Sequence, residues 1–279
     1  MNRQQSSQYR RPTMRRRKRN QRRVAAVLVL AILAGGVIAA HTTASADQHR
    51  TTSTHERAVV EKVALPKAEF APSQIVRGRV MDVGSSVAEG WDDKVGGGYL
   101  KRGVVGYSAY SAHDYTLVNH AVAGDTAEKI DGEYHVWLKT LKPQVVVLSW
   151  GALDDANAKT PLPVFRATVE HQVALALANH EVVFIVTPPV TRASYTQYPT
   201  IEPMYLNAEM QVARSFHSPN VYVFNVFDQM KAYLVAHHQT YVPYMADGWH
   251  PNTAGHALAG GLFLDDLQKA FGKSGIAFK

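Results

Sequence analysis

Cysteine is missing from all 279 residues. That excludes disulfides, a thiolate nucleophile and any thiolate metal site. Histidine is plentiful at 13, yet no pair has a metal-ligand spacing such as His-Glu-x-x-His. Neither a metal nor an organic cofactor is therefore expected. There is no internal repeat, which excludes a solenoid or propeller. Acidic residues are absent from residues 1–23, where ten Arg or Lys gather. The formal charge of +7 is thus an end effect, since the remainder carries 20 basic against 23 acidic side chains. A mildly acidic body has no reason to bind a phosphate backbone, so nucleic acid is not expected as a partner.

Long uncharged apolar runs are also scarce. One is conspicuous, residues 24–40, directly after the basic block and before the small residues Ala44 and Ala46. A basic segment, an apolar segment and an Ala-x-Ala site suit a secretory signal cleaved after Ala46. The same run reaches the lower limit of a membrane span, about 17 residues, so an uncleaved anchor through residues 24–40 is the alternative. Both readings keep the arginines cytoplasmic and export the rest, leaving the body extracellular or anchored to the cell membrane. The chain then divides into a basic segment (1–23), the signal or anchor (24–46), a polar spacer (47–74) and a folded domain (75–279). About 205 residues suffice for a core that needs no disulfides.

Within that domain, apolar runs at 75–83, 115–119, 144–149, 182–187 and 221–225 predict strands. The run at 144–149 is rich in β-branched residues, as in a strand covered on both faces. Helices are expected between them: a short one after the Gly96–Gly98 break, then one opened by a capping box at Asp125-Thr-Ala-Glu128 and ending before Pro143. Phe165, Val169, Val173 and Leu177 form a stripe at a spacing of four. Further helices are expected at 203–216, 227–237 and 252–271. Strands alternating with helices predict an α/β fold, a three-layer α/β/α sandwich with a central parallel sheet, preceded by an N-terminal apolar helix.

The first strand ends in Gly84-Ser-Ser86, which puts a hydroxyl at the carboxyl edge of the sheet, where such folds bind ligands. Near the other end stands Asp247-Gly-Trp-His250-Pro. An aspartate three residues before a histidine can hold the imidazole in one tautomer while its other nitrogen faces a nucleophile. Together these stretches resemble the first and last sequence blocks of the SGNH (GDSL-type) hydrolases, Gly-Asp-Ser and Asp-x-x-His-Pro.

The resemblance covers about residues 75–270 and implies a flavodoxin-like SGNH fold and a serine ester hydrolase. Ser86 would be the nucleophile, with Ser85 as the alternative because it stands where the family usually has Asp. His250 would be the general base and Asp247 its orienting partner. The backbone N–H groups of Ser86 and of Gly124, in the block 119–126, would form the oxyanion hole. The third block departs most: the family's Gly-x-Asn-Asp is here Gly151-Ala-Leu-Asp154. Leu153 cannot donate as Asn does, and losing one such donor costs on the order of 10²- to 10³-fold in kcat. Asn157 and Trp150 are candidate substitute donors and Asp154 a possible accessory residue, whereas Asp155 reads as a solvated loop acid.

The expected activity is that of an exported serine hydrolase cleaving an acyl ester, a carbohydrate O-acyl or acetyl ester or a lysophospholipid, through an acyl-enzyme. Two alternatives stand beside it: a cell-envelope O-acyltransferase with the same triad, and a silent glycan-binding module that has lost its oxyanion hole. Trp91, Tyr99, Trp150 and Trp249 lie near the motifs and can stack on sugar rings or serve as packing.

Overall fold

The computed structural model describes residues 77–150 and 153–278. The basic segment, the apolar run with its expected helix, the spacer, Gly151 and Ala152 lie outside the described residues. Among the described residues, no helix is long and apolar enough to cross a membrane.

Five strands form one all-parallel sheet: β1 (Arg77–Gly84), β2 (Asp114–Asn119), β3 (Val145–Ser149), β4 (Val182–Val186) and β5 (Val221–Phe224), in the order β2-β1-β3-β4-β5. β3 and β4 are buried at every position, which is why their sequences run apolar without alternation. The helices are α1 (Ser86–Glu89), α2 (Gly98–Ser111), α3 (Asp131–Leu141), α4 (Leu153–Ala158), α5 (Leu162–Ala178), α6 (Arg192–Thr196), α7 (Ile201–Ser215), α8 (Val226–Ala236) and α9 (Thr253–Phe271).

Successive strand residues point to opposite faces, and each face has its own core. Val80, Val145, Val147 and Phe184 pack with Tyr99, Leu100 and Tyr107 of α2 and Phe263 and Leu267 of α9. Met81, Val83, Val146, Leu148 and Ile185 pack with α3, α5 and α7 through Tyr134, Phe165, Val169 and Leu206. The result is the three-layer α/β/α sandwich that the alternation of elements predicts.

Two elements differ from expectation. α2 is a full helix of 14 residues, not a short one, because its glycines serve packing. A Cβ on Gly103 would lie 2.4 Å from the Phe263 ring, so the glycine lets α2 and α9 approach closely. The capping box at Asp125 does not open a helix, and α3 begins at Asp131 without a side-chain cap. Ala127 is instead drawn into the core, where its N–H donates to Asp155 Oδ2 at 3.3 Å, while Asp125 pairs with Lys129 at 3.3 Å. Tertiary partners thus take the groups that a local cap would use. A capping box does form at Thr191 and Ser194, at the start of α6.

The strand order reverses between β1 and β3, and the crevice at their carboxyl ends is where open α/β sheets bind ligands. Gly84 faces Ser149 there. A Cβ on Gly84 would sit 2.2 Å from the Ser149 carbonyl oxygen and 2.6 Å from Ala88 Cβ. Only glycine allows β1 to end against β3 and turn directly into α1.

Candidate active site

Ser85 is the N-cap of α1, with extended backbone (φ −103°, ψ −159°), and Ser86 is the first helical residue. An N–H in the first turn of a helix has no partner inside the helix, which leaves the Ser86 N–H without an intrahelical acceptor. The block 119–125 is fastened beside it: Val122 N–H donates to the Gly84 carbonyl at 2.9 Å, and Asn119 Nδ2 donates to the Glu89 carbonyl at 3.1 Å. Gly124 lies exposed in this segment with φ +81°, a left-handed conformation that favours glycine.

His250 approaches from the loop before α9. That loop is closed by a bridge between Met245 and Pro251 and by Asn252, which caps α9 through Gly255 N–H and donates to the Pro243 carbonyl at 2.9 Å. His250 Nε2 lies 3.0 Å from Ser86 Oγ, and its Nδ1 lies 2.9 Å from Asp247 Oδ2. Asp247 Oδ1 also accepts the backbone N–H groups of Trp249 and His250, each at 2.7 Å. Partial burial acts to raise the Asp247 carboxyl, but the His250 ring and those two N–H groups outweigh it and hold it below the usual carboxylate range. An ionised carboxylate on Nδ1 favours the tautomer with its proton there, leaving the Nε2 lone pair for the Ser86 hydroxyl.

A second set of residues, not singled out by the sequence, fixes the loop beside the histidine. Asp93 is fully buried and accepts from Gly96 and Gly98 N–H and, at 2.8 and 3.0 Å, from the Arg102 guanidinium. The Arg102 contact leads the effects that hold its carboxyl down at about 2. His256 of α9, also fully buried, accepts the Tyr99 N–H on Nδ1 at 3.2 Å and donates from Nε2 to the Trp91 carbonyl at 3.0 Å. Desolvation lowers its pKa and keeps it neutral. Trp91 and Asp92 therefore ride on a rigid turn, with the Trp91 ring 5.7 Å from the His250 ring. The adjacent Asp-Asp and Gly-Gly-Gly in this loop were the only local hint.

The remaining candidates divide. Trp150 is 1% exposed, and its indole N–H donates to Gln172 Oε1 at 3.0 Å, so it is a core residue and not a substitute donor. Tyr99 is fully buried as well, its hydroxyl 2.5 Å from Ser149 Oγ. Asp155 is not a solvated loop acid: it is 1% exposed, and desolvation pushes its carboxyl up to about 6. Leu153 is buried in the core. Asp154 is half-buried, its carboxyl raised by desolvation against a hydrogen bond with Ser85 and the nearby His250. Asn157 is exposed and its Oδ1 accepts from the Tyr198 hydroxyl at 3.3 Å. Spacing along the sequence also missed one grouping: Asp92, Asp247 and His250 bring ligand-type atoms within 4.8 Å of one another. Two of these residues are already engaged with each other as the acid–imidazole pair.

Comparison with known proteins places the chain in a family. The model of the GDSL-like lipase/acylhydrolase family matches residues 83–258. A search of curated proteins finds no match. Among solved structures, Axe2, an acetylxylan esterase from Geobacillus stearothermophilus, is 18% identical with a TM-score of 0.55, over 72% of this chain and 95% of that one. LAE5, an alpha/beta hydrolase enzyme from the metagenome of Lake Arreo, Spain, is 20% identical with a TM-score of 0.55, over 67% and 94%. At such identities the likeness shows the fold, and the family match carries the rest. The chain belongs to the GDSL-like lipase/acylhydrolase family and is a carboxylic ester hydrolase.

Proposed function

We propose that Ser86, His250 and Asp247 are the triad of this hydrolase and that its substrate is an O-acylated carbohydrate. The observation that carries the triad is the unbroken line from Asp247 through His250 to Ser86, with contacts of 2.9 and 3.0 Å. In this reading His250 takes the Ser86 proton as Oγ attacks the acyl carbon. The oxyanion is met by the Ser86 and Gly124 N–H groups. His250 then returns the proton to the leaving alcohol, Asp247 stabilises the imidazolium meanwhile, and water hydrolyses the acyl-enzyme by the same steps.

The carbohydrate assignment is supported by an exposed tryptophan beside the histidine, and by the acetylxylan esterases of like fold. Among the Axe2 structures are catalytic mutants at a serine, an aspartate and a histidine, the last two three residues apart, the spacing of Asp247 and His250 here. Export through residues 24–46 is part of the proposal and rests on the basic and apolar segments alone.

The test is acetate release by the purified full chain from acetylated xylan, set beside fatty-acid release from lysophospholipid. Ser86→Ala is expected to lose about 10³-fold or more in kcat with the fold intact. Turnover of the lysophospholipid alone would refute the carbohydrate assignment. Unchanged turnover in Ser86→Ala would refute the triad.

A further inference from the structure

The residues between Ser86 and α2 do more than connect them. Trp91 is 47% exposed, although its backbone is tied down on both sides. Its N–H donates to the Ser86 carbonyl at 3.0 Å and its own carbonyl accepts from the buried His256 at 3.0 Å. The turn that follows is fixed by Asp93 through the Arg102 fork. A half-exposed indole on a backbone tied at both ends is a preformed surface, and holding it ready removes the ordering cost of binding. It also lines an open cleft of about 360 Å³ with Glu89, Gly90, Asp92 and Lys94.

The direction of proton transfer says which part of the substrate meets this cleft. His250 must deliver its proton from Nε2 to the leaving oxygen, so the leaving alcohol lies against the imidazole. The Trp91 ring flanks that imidazole at 5.7 Å, whereas Gly124 sits on the other loop, fastened to the end of β1 through Val122. A leaving alcohol that meets the imidazole therefore meets the Trp91 ring beside it.

Resting on the triad proposed above, we infer that Trp91 and its cleft form the leaving-group subsite and that this subsite takes the pyranose ring of the acylated sugar. The C–H face of a pyranose is apolar and fits the bare indole, while its hydroxyls need a polar rim. Glu89 and Asp92 offer acceptors, and Lys94 offers a donor. The rim carries two acids and one base, a balance that does not favour the anionic phosphodiester of a lysophospholipid leaving group. Of the four aromatic residues near the motifs, Tyr99 and Trp150 are buried and cannot take this part. Trp249 is partly buried and its indole N–H is committed to Gln197 at 3.0 Å.

The experiment compares two acetates that differ only in the alcohol, a mono-O-acetylated methyl β-xylopyranoside and ethyl acetate, with the full chain and its Trp91→Ala and Trp91→Tyr variants. Fluorophosphonate labelling of each protein reports the nucleophile separately. The ratio of kcat/KM for the sugar ester to that for ethyl acetate is expected to fall about 3- to 10-fold in Trp91→Ala, the scale of one aromatic face contact. Trp91→Tyr is expected to restore most of it. An unchanged ratio, including one in which both substrates decline together because the histidine has lost its neighbour, would overturn the subsite. So would a wild type that labels and cleaves ethyl acetate but not the sugar ester, leaving the triad standing. A wild type that does not label would overturn the triad and the subsite with it.

Discussion

Replacing Asp247 by asparagine separates its two tasks. Its carboxylate accepts two backbone N–H groups at 2.7 Å and the His250 Nδ1 hydrogen at 2.9 and 3.1 Å. In Asp247→Asn the amide oxygen can keep the backbone N–H groups, so the loop should hold its shape. The amide nitrogen then faces Nδ1 as a second donor. The imidazole resolves that conflict by moving its proton to Nε2, which presents N–H to Ser86 where a lone pair is required. Reversal of this kind in a serine protease triad lowers kcat about 10⁴-fold. Here Asp247 is half exposed, so water softens the electrostatic part and leaves the tautomer part. A fall of about 10³-fold, or roughly 4 kcal/mol of transition-state stabilisation, is expected. The assay is steady-state hydrolysis of a short-chain acetate from pH 6 to 9, with a thermal melt beside it. The melting temperature of Asp247→Asn should stay close to that of the wild type, while Asp247→Ala should lose both rate and stability. A kcat for Asp247→Asn within tenfold of the wild type at every pH would refute the reasoning.

Leu153→Asn restores the family's residue, yet the buried position of Leu153 predicts no gain in rate. It predicts a loss of about 2–5 kcal/mol in stability, from lost packing and a buried amide, read by denaturant unfolding. Gly84→Ala puts a methyl group into the Ser149 carbonyl. It is expected to cost about 3 kcal/mol or more and to slow fluorophosphonate labelling as Ser86 is displaced. Desolvation raises the carboxyl of buried Glu202 to about 8, well above its usual range near 4.5. Its contribution to stability is therefore complete below about pH 4.5 and is lost as pH rises through 8, since the native state binds the extra proton. The melting temperature should decline from pH 5 to 8, and Glu202→Gln should flatten that decline; identical profiles for both proteins would count against it.

The strands were legible because each is a short, largely apolar run closed by a turn signal; β3 ends where its run stops, and β4 and β5 end one residue earlier. The three residues of the proposed triad could be singled out because two local motifs, Gly84-Ser-Ser86 and Asp247-Gly-Trp-His250, carry them whole, and the structure brings their side chains within hydrogen-bond distance of one another. What could not be read depends on partners distant in the chain. Asp155 is buried where the Ala127 N–H donates to it, and nothing in the run Leu153-Asp-Asp-Ala156 marks the first acid as half open and the second as covered. His256 lies one turn into a helix whose pattern is ordinary; its two hydrogen bonds, to Tyr99 of α2 and to Trp91 in the loop before it, are made with residues more than 150 positions away. The helix after the Gly96–Gly98 break was expected to be short, and nothing in the sequence marks Gly103 as the contact point between helices that lets α2 run on. The false capping box at Asp125 failed for the same reason, since a core acid takes the N–H group that a helix start would claim.

Intact-mass analysis of the purified full chain after treatment with a fluorophosphonate tests the central claim most directly. The account predicts one adduct, mapped to Ser86, that disappears in Ser86→Ala and His250→Ala and persists in Ser85→Ala. No adduct on the folded wild type, or one that maps to Ser85 and survives in Ser86→Ala, would contradict it.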